Sequence, residues 1–193
     1  MMEISAKTFK HNTNASTERA FNEHLELYYD YVKKVNEITD LVPINLNVTK
    51  DNPTYSRYRG LKKGETFALD AVILHELYFQ IMTRDSLSPK EKAMGLFNIY
   101  FGGFENWITE FICCGKSARG WAILVYEQRT KSIRNILLDS HDFGPVVMAY
   151  PLIVMDVYEH AYYMDYGRDR ASYISDFIRS INWDLVEQQI ELL

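Results

Sequence analysis

Phe21, His24, Tyr28, Tyr31, Val35 and Ile38 recur at three- and four-residue steps, the one-sided spacing of an amphipathic helix. Ser16 or Thr17 just ahead offers an N-cap, and Glu18 adds a negative charge in the first turn. A polar stretch with Pro53 follows, and a second helix is predicted from about Lys63 to Met82, with Phe67, Ala71, Leu74, His75, Tyr78 and Phe79 on its apolar side. Two long antiparallel helices would form a first layer. The segment Thr83 to Pro89 carries a stop for that helix and a cap for the next helical stretch. That stretch runs to about Ser117, with Phe104, Trp107, Ile108 and Phe111 along its buried side.

From Trp121 the period changes. Trp121 to Tyr126 and Ile133 to Leu138 read as strands flanking a hairpin connection, and Pro151 to Met155 as a third strand. Ser172 to Ile181 closes the pattern with a helix whose inner side is Ile174, Phe177, Ile178 and Ile181. The fold class is α+β: an N-terminal long α-hairpin packed on a C-terminal α/β layer with a three-stranded antiparallel sheet. The change of pattern near residues 83–90 predicts an N-terminal helical-hairpin domain, 1–86, and a C-terminal α/β domain, 87–193.

The 193 residues, 47% hydrophobic, suffice for a substantial core. A net charge of −5 without a basic tract argues against a nucleic-acid partner. No run reaches membrane-spanning length and the first residues lack a signal-peptide pattern, so no membrane partner is expected. The only cysteines, Cys113 and Cys114, are adjacent and make no disulfide framework, which points to a reducing cytoplasm.

The candidate chemistry lies in the strand ending at Asp156. Five apolar residues end in that carboxylate, and His160 follows four positions later. A buried carboxylate needs a positive partner, and a metal ion supplies one. The other reading makes Asp156 a cap and His160 a core residue. The chain has five histidines, His11, His24, His75, His141 and His160. His24 and His75 lie on the apolar stripes of the two long helices, where a lone histidine is commonly a core residue bonded to a carbonyl. Three imidazoles and a carboxylate together would suit iron, manganese or zinc.

The run Asp156-Val157-Tyr158-Glu159-His160-Ala161-Tyr162-Tyr163 resembles the signature of the iron/manganese superoxide dismutase family, which has tryptophan where this chain has Tyr158. Gly120-Trp121, Pro151-Leu152, Asn182-Trp183 and the surroundings of His24 and His75 extend the resemblance along nearly the whole chain. It implies one iron or manganese ion per subunit, held by His24, His75, Asp156 and His160. It also implies superoxide as substrate and a homodimer, with a tetramer left open, in which Glu159 and Tyr163 meet the partner.

The departures from the family fall around the ligands. Tyr158 replaces an indole with a phenol. A glutamine that tunes the centre in iron-type members would sit at Ala71, and the manganese-type one in the segment Ser140-His141-Asp142, so His141 is its expected substitute. From His24 to Tyr31, the expected channel tyrosine, is seven residues, one fewer than is common in the family. Tyr28 could replace a missing relay histidine. Tyr31, His141 and Tyr158 are thus the candidate catalytic residues, and His141 is expected to titrate between pH 5 and 8. Two functions stay open: a dismutase, or a metalloprotein of the same fold with other oxygen chemistry or a metal-stabilised, non-catalytic role.

Overall fold

The computed structural model describes residues 3–193. The first layer is a pair of long helices, α1 (Glu18–Leu41) and α2 (Arg57–Ile81), joined through a short 3-10 turn at Pro43–Asn45. Thr17 caps α1 by accepting a hydrogen bond from Ala20 N. Asp165 in turn accepts from Thr17 N at 2.7 Å and Thr17 Oγ1 at 2.8 Å, so the start of α1 is tied to a helix late in the chain. α2 begins six residues before the expected Lys63, because Ser56 provides the cap by accepting from Arg59 N.

The helical stretch after Pro89 is two helices, α3 (Glu91–Phe101) and α4 (Phe104–Ser117). They part at Gly102 and Gly103, with φ of 72° and 137°, backbone that side chains other than glycine adopt at a cost. The expected cap in the 83–89 segment is not what starts α3. Glu187 does it from the far end of the chain, accepting from Lys92 N and Ala93 N at 2.9 and 3.1 Å.

Three antiparallel strands follow, β1 (Trp121–Glu127), β2 (Ser132–Leu138) and β3 (Ala149–Asp156), in the order β2-β1-β3. The register opposes Trp121 both to Leu138 and to Asp156. Trp121, Asp156 and the loop after Leu138 therefore emerge at one end of the sheet. A register shift between Leu124 and Val125 lies opposite Pro151, on an edge strand where a missing N–H is tolerated. Helices α5 (Glu159–Tyr166), α6 (Arg170–Arg179) and α7 (Trp183–Glu191) complete the chain. α5 and α7 are absent from the sequence expectation; both are too short for an apolar period to stand out.

The core is continuous from the α-hairpin into the sheet, with Trp107, Trp121, Tyr78, Tyr173, Phe97, Phe111 and Phe177 fully buried. Thr83 N donates to Ser180 O and Asn182 N to Ile81 O, both at 2.7 Å, stitching the end of α2 to the last two helices. The outcome is the α+β arrangement expected, with the helical hairpin laid on an α/β layer.

Candidate metal centre

Each helix and strand named for the site brings one side chain to a common point. His24 comes from the middle of α1, His75 from α2, Asp156 from the end of β3, and His160 from the first turn of α5. One ligand atom from each lies within 4.8 Å of all the others. Asp156 Oδ2 is the hub: 3.0 Å from His160 Nε2, 3.1 Å from His24 Nε2 and 3.7 Å from His75 Nε2. Asp156 and His75 are fully buried and His24 nearly so, while the His160 side chain keeps 32% of its exposure.

Whether this cluster suits a cation can be judged from its unpaired atoms. Nε2 of His24 and Nε2 of His75 are buried without any hydrogen bond; the approach of His24 to Asp156 is close in distance but wrong in angle. Such orphaned atoms are rare in a protein interior. His75 Nδ1–H donates to the Ala71 carbonyl at 2.7 Å, which leaves the lone pair of Nε2 facing the cluster. Burial, reinforced by the neighbouring His24, pushes His75 down to about 3, so it is neutral and able to ligate. Burial likewise lowers His24. Burial alone would raise Asp156, but His160 and His24 outweigh it and hold the carboxylate well below the usual range. His160 goes the other way: burial alone would lower it, but the charge and hydrogen bond of Asp156 outweigh that and raise it. Two neutral nitrogens, a third imidazole paired with the carboxylate and the carboxylate itself form a donor set of the kind iron or manganese takes.

Asp156 is itself fixed. Its Oδ1 accepts from Tyr158 N at 2.9 Å. Val157 N donates to Gly120 O, so Trp121 and Asp156 face each other without exchanging ladder bonds and the Asp156 carbonyl points away from β1. There it accepts a 2.7 Å hydrogen bond from the buried hydroxyl of Tyr173, whose oxygen lies 3.2 Å from the hydroxyl of Tyr78.

His141, Tyr31 and Tyr158 border the cluster. The turn closed by Asp139 and Phe143 folds His141 inward until it is 2% exposed. Its Nε2 is 3.1 Å from Tyr31 Oη, and its Nδ1 accepts from Trp121 Nε1 at 3.0 Å. Burial pushes His141 down to about 4, which corrects the expectation that it titrates between pH 5 and 8; it stays neutral throughout that range. Tyr31 is raised by burial and by the charge of Asp156, so its hydroxyl keeps its proton. Tyr158 stacks on His160 with ring centroids 5.2 Å apart and planes at 18°, and packs 5.2 Å from His141. Burial takes its hydroxyl up to about 12.

Comparison with known proteins decides the lineage. Residues 89–189 match the family described as iron/manganese superoxide dismutases, C-terminal domain. A superoxide dismutase (Fe) of Aquifex pyrophilus is 39% identical over 172 residues, 87% of this chain and 81% of that protein. The chain belongs to the iron/manganese superoxide dismutase family. A second iron-type relative, from Aquifex aeolicus, is 38% identical over the same shares. A superoxide dismutase (Mn) of Halobacterium salinarum is 37% identical over 120 residues, 62% of this chain and 60% of that protein. Both metal types thus stand among its relatives.

Other expected residues lie elsewhere. The Tyr28 ring is buried, but its hydroxyl accepts from Lys7 N at 2.8 Å and donates to Glu76 Oε1 at 2.9 Å, so it pins the N-terminal arm and is not a relay to the centre. His11 also serves that arm, between Ser16 O and the Arg84 guanidinium. Glu159 and Tyr163 are exposed on α5; Tyr163 at 53% and Met164 at 50% border an open recess with Glu23, Leu27 and His160. The sequence marks Tyr78 only as a stripe residue and Trp121 only as a strand start within the resemblance, and it does not single out Tyr173; none of the three is read there as part of the site. A polar-tipped aromatic in an apolar run must find a hydrogen-bond partner once buried, which is the one signal that could have marked them.

Proposed function

We propose that this protein is a superoxide dismutase, an oxidoreductase that takes two superoxide ions and two protons to one oxygen molecule and one hydrogen peroxide. The observation that carries the reading is the pair of buried, unpaired Nε2 atoms of His24 and His75 facing Asp156 Oδ2. His24, His75, Asp156 and His160 would hold one iron or manganese ion. When bound, that ion supplies the one-electron couple that accepts an electron from one superoxide and returns it to the next.

The surrounding residues do the rest. Asp156 brings a permanent negative charge that favours the higher oxidation state; Tyr173 fixes its main chain through the carbonyl, and Tyr158 N orients the carboxylate through Oδ1. Tyr31, held protonated, packs beside His75, with ring centroids 5.6 Å apart. Tyr158 closes the side of the site between His141 and His160. The relatives' names favour dismutation over other oxygen chemistry.

Three finer assignments belong to the same reading. Glu159 and Tyr163 form a homodimer face, supported by the exposure of His160 and of Tyr163 and Met164 beside it. The chain divides into domains at 86/87, supported by a family match that starts at residue 89. Its compartment is the reducing cytoplasm, in keeping with two free cysteines, Cys113 exposed. No helix among the described residues is long and apolar enough to cross a membrane.

The test is to load purified protein with iron or manganese separately and follow superoxide decay by stopped-flow. Decay far above the spontaneous rate with at least one metal, and none for the metal-free chain, is expected. Full metal content with no acceleration for either would defeat the reading.

A further inference from the structure

Both ring nitrogens of His141 are already committed, and the chemistry of their partners sets the direction of each bond. The indole Nε1 of Trp121 is a donor only, so the 3.0 Å contact to His141 Nδ1 requires that nitrogen to be unprotonated. With Nδ1 accepting from the indole the ring is neutral and carries its single proton on Nε2. Nε2–H faces the Tyr31 hydroxyl at 3.1 Å and must donate to its oxygen. Tyr31 therefore cannot spend its own proton on His141, and keeps it for the site.

We infer that Trp121 locks the tautomer of His141, and that His141 acts on the reaction only through Tyr31, as a positioning residue that turns the Tyr31 proton toward the substrate. An amide in this place has a second N–H to offer the centre; the histidine has none left. The outer side of the ring is closed as well, since Phe67 packs on it at 4.6 Å between ring centroids and Tyr158 at 5.2 Å. Trp121 is fully buried in the first position of β1, opposite Asp156, and has no room to turn its indole elsewhere. The chain Trp121→His141→Tyr31 thus has one polarity, running from the core into the site. The inference rests on the dismutase reading for its consequence, while the tautomer itself does not depend on activity.

The direct experiment is nitrogen-15 NMR of the ring nitrogens in the full-length, metal-free protein, with His141→Gln used to assign the signals. A pyrrole-type Nε2 and a pyridine-type Nδ1 in a single tautomer are expected at neutral pH. The opposite tautomer, or a fast-exchanging mixture, overturns the proposal. Trp121→Phe should convert the single tautomer into a mixture. If that variant unfolds, the wild-type spectrum alone decides.

The second arm is kinetic and uses the metal-loaded enzyme. His141→Phe should slow superoxide decay in the wild-type background, and change the rate by less than twofold once Tyr31→Phe is present. A further tenfold loss in the Tyr31→Phe background would mean that His141 touches the reaction directly, which refutes the positioning role. A protein that shows the expected tautomer yet no dismutation would fail the functional reading and leave the tautomer lock standing.

Discussion

Replacing Tyr173 by Phe, and then Tyr78 by Phe as well, tests how Asp156 is anchored and gives an unusual ordering of stabilities. Tyr173 is fully buried and donates to the Asp156 carbonyl at 2.7 Å, so the Tyr78 hydroxyl, 3.2 Å behind it and 1% exposed, must donate to Tyr173. Tyr173→Phe keeps the ring volume but strands two buried groups, the Asp156 carbonyl and the Tyr78 hydroxyl. Each unpaired group costs about 1–3 kcal/mol, so the single variant should lose several kcal/mol from a total of roughly 5–15. Tyr78→Phe alone removes a donor from an oxygen that still makes its own bond, a loss of about 0.5–1.5 kcal/mol. In the double variant the stranded Tyr78 hydroxyl is gone too. It should therefore be more stable than Tyr173→Phe by about 1–3 kcal/mol, a strongly non-additive cycle. Equilibrium unfolding of the metal-free proteins in guanidinium measures this without linkage to metal binding. Additive losses, with the double variant the least stable of the three, would refute the hydrogen-bond direction and with it the anchoring of Asp156.

Because burial lowers His141 to about 4, His75 to about 3 and also His24, the unfolded chain binds more protons below 6.5; metal-free protein should lose stability as pH falls from 6.5 to 4, and His141→Gln should remove one histidine's share of that slope in urea titrations. Gly120→Ala places a methyl group 3.0 Å from the Tyr158 ring and 3.1 Å from the Leu138 carbonyl, and should cost about 1–3 kcal/mol by thermal unfolding while disturbing the stack on His160. Glu159→Ala should weaken self-association and metal retention together; sedimentation showing a monomer that keeps its full metal content would separate the two.

The places of the candidate ligands are legible in the sequence because they ride on regular elements, while their union in one metal site comes from the family resemblance. His24 and His75 stand on helical stripes whose period survives folding unchanged, and Asp156 ends a strand whose apolar run can only be buried. His141 is singled out only by the resemblance, which puts the manganese-type glutamine of the family in the segment after β2. What escaped depends on contacts between distant segments. The start of α2 is set by a serine at a break in the pattern, and that of α3 by Glu187, more than ninety residues away. The direction of the Tyr28 hydroxyl is decided by Lys7 and Glu76. The titration of His141 is decided by burial, which no local pattern discloses. The Trp121 and Tyr173 bonds hold the site in shape, yet in sequence both residues look like ordinary core aromatics.

The claim on which everything rests is that His24, His75, Asp156 and His160 hold one ion. Crystals of the iron- or manganese-loaded protein, measured on both sides of the corresponding absorption edge, test it most directly. One anomalous peak per chain, with the three Nε2 atoms and Asp156 Oδ2 at roughly 2.0–2.2 Å, is the predicted result. No peak at that point, or a peak with His24 or His75 turned away from it, would contradict the account.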